Sequence, residues 1–225
     1  MTTSGKQLVQ NITTVTGHSP IAAALARTTR PVIRLLTAGQ PVTVEEIART
    51  SGLSTEEVER TLRALPDVEW EDAGRVVALG FTTHPTDHLM EFDDRTMYAW
   101  CVVDSLILAV LLERPVVIRS HDRGTGTPIS IQVGPTGTAT AVAPPTAVMS
   151  WIGETRPKES TTMGSTFCRH IHFFASHQTA ADWAADHPVG SVLSMPETVH
   201  AARGVADIFS DSTPDRSVAL CMTWR

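Results

Sequence analysis

Twelve consecutive residues, Cys101 to Leu112 (CVVDSLILAVLL), carry a single charge, Asp104, and constrain the fold more than any other stretch. A helix that is apolar all round has no solvent face, so the rest of the chain must surround it. The run is too short for the ~20 residues that cross a bilayer. Extended back to Thr96 it predicts one buried helix over Thr96–Leu112, with Pro115 ending it. A chain of 225 residues, 42% hydrophobic and 19% charged, can build such a core without disulfide staples. Its three cysteines, Cys101, Cys168 and Cys221, are too scattered for a secreted disulfide framework and fit a reducing cytoplasm. The N-terminal MTTSGKQLVQNITTVTG lacks the apolar core or Arg-rich pattern of a targeting segment. A cytoplasmic protein with no membrane partner is expected.

Ahead of that run, residues 6–37 read as helical, interrupted at Pro31. Two capping-box patterns follow, Thr43-Val44-Glu45-Glu46 and Ser54-Thr55-Glu56-Glu57, separated by Ser51-Gly52-Leu53. They predict a helix-turn-helix over about 43–50 and 54–65. A hairpin around Gly74, between Val68-Glu69-Trp70 and Arg75–Leu79, would complete a winged-helix outline. DNA binding is disfavoured. The second helix opens on Glu56, Glu57 and Glu59, and the whole chain carries −6, so phosphates would be repelled. No nucleic-acid partner is expected.

Beyond the irregular stretch Thr82–Asp94 and the apolar run, the pattern turns to strands. Val116–Ser120, Ile129–Val133 and Thr138–Val142 are separated by turn sequences and predict an antiparallel meander. Phe167–Ala175 (FCRHIHFFA) reads as a further strand, Thr179–Asp186 as a short helix, and the remainder as short mixed pieces. The expected class is α+β: a winged-helix-like helical module, 1–80, packed on an α+β catalytic core of antiparallel strands with flanking helices, 81–225.

Two constellations carry chemistry. Cys101 and Asp104, three apart, would share one face of a helix. A lone buried cysteine is ordinary filler. A buried carboxylate is costly unless it is paired, protonated or lining a cavity. The second is Cys168-Arg169-His170-Ile171-His172, where strand alternation would put Cys168, His170 and His172 on one face. Sulfur and imidazole together suit a transition metal, although three such residues fall short of a usual zinc set. His121, before the Gly124-Thr125-Gly126 loop, is unassigned, and Cys221 has no chemical neighbour. Phosphate-binding loop and nucleophile-elbow sequences are missing.

Taken together these residues resemble the alkylmercury (organomercurial) lyase family. The likeness lies in Phe92-Asp93-Asp94-Arg95-Thr96-Met97-Tyr98-Ala99-Trp100-Cys101-Val102-Val103-Asp104 and in Ser120-His121 through the Gly-Thr-Gly loop. It continues in Phe167–Ser176 and in Thr179-Ala180-Ala181-Asp182-Trp183. The resemblance implies that Cys101 and Cys168 are mercury-binding thiols and Asp104 the proton-handling carboxylate, with Asp104 a further candidate ligand. It implies an organomercurial substrate and protonolysis of the carbon–mercury bond, giving a hydrocarbon and mercury(II). It further implies no cofactor, release of mercury to small-molecule thiols, and a mercuric reductase downstream. The roles of His121, His170, His172 and Arg169 stay open. Two rival classes are a metal-sensing helix-turn-helix transcription regulator and a structural zinc protein built on Cys168, His170 and His172.

Overall fold

The computed structural model describes residues 22–65, 68–151, 168–187 and 191–210. The first described helix, α1 (Ala22–Leu36), runs through Pro31 without ending there. Residues 6–21 of the expected helix lie outside the described residues. The helix-turn-helix follows as α2 (Val44–Ser51) and α3 (Thr55–Arg63), then the hairpin β1 (Glu69–Trp70) and β2 (Val76–Ala78). Gly52 ends α2 at φ +68° and Gly74 turns the hairpin at φ +74°, both in the left-handed region that glycine enters freely.

The first capping box forms in full. Thr43 Oγ1 accepts from the Glu46 amide at 3.2 Å, and the Glu46 carboxylate accepts from the Thr43 amide at 2.9 Å. At α3 the Ser54 half is present, accepting from the Glu57 amide at 3.1 Å. Thr43→Ala should therefore lower unfolding free energy by about 1 kcal/mol, read by urea denaturation, and by more than Ser54→Ala. Val58, Thr61 and Leu62 of α3 point inward, while Glu56 and Glu59 stay exposed on its leading turns.

The core is built on a six-stranded antiparallel sheet in the order β3-β5-β4-β6-β7-β8. Its strands are β3 (Phe81–Thr82), β4 (His88–Phe92), β5 (Arg95–Ala99), β6 (Val116–His121), β7 (Pro128–Val133) and β8 (Ala139–Ala143). One row of side chains crosses it in register, Met97 beside Met90, then Ile118, Ile131 and Val142. The first four are almost wholly buried. Helix α4 (Val102–Leu111) is in contact with five strands of this sheet, and α6 (Met195–Ser210) packs on α4. A three-stranded sheet, β10-β9-β11, comprises β9 (Val148–Trp151), β10 (His172–Phe174) and β11 (Ser191–Ser194). Helix α5 (His177–Ala184) follows β10. The module joins this core through α1, which is in contact with α6 and β3.

Three expectations are corrected here. The single helix over Thr96–Leu112 is a strand followed by a helix. Along β5 burial alternates, with Met97 and Ala99 inward, and the extended Cys101 (φ −145°, ψ 174°) begins α4. The irregular stretch contains β4, whose hairpin to β5 turns at Asp93 with φ +44°. Phe167–Ala175 is not one strand, because Cys168–His170 form a 3₁₀ turn before the short β10, and Phe167 lies outside the described residues. Among the described residues no helix is long and apolar enough to cross a membrane.

Candidate active site

Helix α4 starts where β5 is held. The Trp100 amide donates to the Gly80 carbonyl at 3.0 Å, which ends the strand and leaves Cys101 as the N-cap. Its sulfur accepts from the Asp104 backbone amide at 3.5 Å. The pair is thus a cap and the third residue of the first turn, rather than two positions inside a helix, and the closeness expected from their spacing is kept. A sulfur at a helix N-terminus feels the positive end of the helix dipole, which favours thiolate. Burial works against this and dominates. Cys101 is 3% exposed, and desolvation, the hydrogen bond with Cys168 and the Asp104 charge push its thiol well above the ordinary range.

Cys168 arrives from the other sheet, in the turn leading into β10, where the Ile171 amide closes on the Cys168 carbonyl at 3.4 Å. Its half-buried thiol donates to Asp104 Oδ2 at 3.8 Å across 64 positions of sequence. The two sulfurs and one carboxylate oxygen lie within 4.8 Å of one another, and this is the one such cluster of potential metal ligands among the described residues. The three residues singled out from the sequence are therefore brought together.

The shared strand face of Cys168, His170 and His172 does not form, because the 3₁₀ turn breaks the alternation. His172 instead meets the rings of Phe174 and Trp183, 6.5 and 5.7 Å away. His170 and His172 are not members of the ligand cluster, so a zinc site on them loses its geometry. His121 Nε2 stands 3.8 Å from Asp87 Oδ2, and Cys221 lies outside the described residues.

Sequence reasoning gave no role to Gly80, His88 or Asp122. Gly80, at φ +71°, lets the backbone pass close to the carboxylate: a Cβ there would sit 3.9 Å from Asp104 Oδ1. Nothing in the Leu79-Gly80-Phe81 sequence marks that approach. His88 Nδ1 lies 2.9 Å from Ser120 Oγ, with its ring edge-on to Phe173. Desolvation holds this imidazole down at about 4, so it is neutral near pH 7. Asp122 is fully buried although it stands just before the Gly124-Thr125-Gly126 turn.

Two thiols form a soft donor pair beside one carboxylate. Thiolates are the ligands a protein uses for very soft cations. Comparison with known proteins meets this geometry. The family model described as alkylmercury lyase matches residues 81–207, and that of the helix-turn-helix domain of alkylmercury lyase matches residues 6–80. The chain belongs to the alkylmercury lyase family. It is 39% identical over 185 residues to the alkylmercury lyase of Bacillus cereus, covering 82% of this chain and 83% of the relative. It is 34% identical over 215 residues to that of Streptomyces lividans, covering 95% and 98%. A crystal structure titled as the mercury-bound form of MerB2 shares the fold, with TM-score 0.72 at 22% identity over 91% of this chain and 99% of that one.

Proposed function

We propose that this chain is an organomercurial lyase that breaks carbon–mercury bonds by protonolysis, using Cys101, Cys168 and Asp104. The observation that carries the reading is the contact of two thiols with one carboxylate in a chain of this family. The overall step is R–Hg–X plus two Cys–SH, giving R–H, HX and Cys101–S–Hg–S–Cys168. Mercury stays divalent, and the electron pair of the broken bond leaves with carbon, so no oxidant or reductant is consumed.

Each residue's part follows from its surroundings. Cys101 and Cys168 replace X and then donate a second sulfur, which loads electron density onto mercury and polarises the carbon–mercury bond toward carbon. The thiol proton has to leave as the second mercury–sulfur bond forms. Cys168 S–H already points to Asp104 Oδ2, so the carboxylate receives it and passes it to the departing carbon as a general acid. The raised Cys101 thiol keeps its proton until mercury arrives, which guards a buried sulfur from premature ionisation. An alkyl or aryl group would need apolar surroundings, and α4, which Cys101 caps, is apolar along nearly its whole length.

The chemistry calls for no resident cofactor. Product mercury(II) would leave to small thiols through half-buried Cys168, and a mercuric reductase would consume it in a reducing cytoplasm. A regulator reading is weaker, because the exposed leading turns of α3 are acidic. Incubation with phenylmercury and excess small thiol should release benzene over many turnovers. Benzene formation no faster than in a protein-free control would refute the proposal.

A further inference from the structure

Asp122 carries a fully buried charge that the chemistry above does not use. Its Oδ1 accepts from the amides of Gly124 and Thr125 at 2.8 and 2.9 Å, which shapes the loop between β6 and β7. Its Oδ2 reaches elsewhere and accepts from the Ala175 amide at 2.6 Å, and the Thr179 hydroxyl adds a further hydrogen bond. Next along the chain, the Arg123 amide donates to the Phe173 carbonyl at 3.1 Å. The end of β6 is thereby stitched to the end of β10. Desolvation alone would raise this carboxyl, but these donors, led by Ala175, outweigh it and hold it below the usual carboxylate range.

The stitch has consequences for the site. Cys101 and Asp104 stand at the end of β5 and the start of α4, on the six-stranded sheet. Cys168 stands on the turn that feeds β10, in the other sheet. The Cys168–Asp104 contact therefore depends on how the two sheets are held together. A loop turn needs just one oxygen of Asp122, and an asparagine would serve it equally well. The second oxygen, committed across the sheets in a charge-assisted bond, is what requires a carboxylate.

We propose that Asp122 is a positioning residue that sets Cys168 against Asp104 and Cys101. The proposal takes the importance of that contact from the lyase reading, but the geometry can be tested apart from it. In Asp122→Asn the amide oxygen can keep the Gly124 and Thr125 bonds, while its NH₂ meets the Ala175 N–H donor to donor. The variant should fold by circular dichroism with a lowered Tm. Benzene release per folded molecule should fall about 10- to 100-fold, the range for losing a hydrogen bond to a charged group. Mercury(II), added as mercuric chloride, should be stripped by a competing small thiol at a correspondingly lower thiol concentration. Thr179→Val keeps the Ala175 bond but removes the Thr179 hydroxyl from Asp122 and from the Ser176 cap of α5, so it should also lower Tm and show both losses at about fivefold. A merely structural role would lower Tm and leave turnover and mercury retention per folded molecule at the wild-type level in both variants, which would overturn the proposal. If wild-type protein released no benzene, the lyase reading would fail, and mercury retention would still decide the role of Asp122.

Discussion

Cys101→Ser and Cys168→Ser should each reduce benzene release from phenylmercury to the protein-free rate while leaving the fold in place. Serine is nearly isosteric with cysteine, and at position 101 it is among the preferred N-cap residues. The start of α4, where the cap accepts from the Asp104 amide, is therefore preserved. Loss of activity at constant or higher Tm separates chemistry from folding. The two variants should differ in mercury binding. Cys168→Ser keeps the buried Cys101 sulfur and one mercury–sulfur bond. Cys101→Ser keeps the half-buried Cys168, from which a competing thiol removes mercury more easily. A hydroxyl cannot replace a thiolate toward so soft a cation, so wild-type turnover in either variant would remove the two-sulfur mechanism.

What the sequence discloses of this site divides by range of interaction. Thr43, Glu46 and Gly52 act within a few residues, and the helix-turn-helix read from them is found with its ends shifted by one or two positions. The Cys101–Asp104 relation is also local, and it survives even though the helix begins six residues later than Thr96. The break between β5 and α4 is set by the Gly80–Trp100 hydrogen bond, a long-range contact with no local signature. Helix α6 was legible in principle. Ser194 and Glu197 have capping-box spacing, and the Glu197 carboxylate accepts from both the amide and the hydroxyl of Ser194. Its buried Val199, Ala202, Val205 and Ala206 recur at helical spacing. The turn at Cys168 was not legible. Alternation in FCRHIHFFA favours a strand, and the approach to Asp104 from another sheet is what the 3₁₀ geometry accommodates. The union of Cys101, Asp104 and Cys168 followed from the family resemblance rather than from periodicity or spacing.

Asp104→Asn should yield a folded protein that still binds mercury(II) through two sulfurs but cleaves phenylmercury about 10²- to 10⁴-fold more slowly, the usual contribution of a positioned general acid. The cap bond to Cys101 uses the backbone amide of residue 104, so the substitution leaves it intact. The space beside Gly80 accepts an amide as readily as a carboxylate, because the two groups differ little in size. Both sulfurs remain where they were, which keeps mercuric chloride binding near wild type. Proton transfer is what changes. An amide oxygen can accept a hydrogen bond from Cys168 S–H but cannot take the proton and hand it on, so the organic group stays on mercury with no acid beside it. A purely structural Asp104 would give another pattern, with reduced Tm and weaker mercury binding in step with activity. Single-turnover benzene release alongside mercury binding separates the two. Near-native release by folded Asp104→Asn would take the carboxylate out of the reaction and leave His170, His172 or water as the proton source.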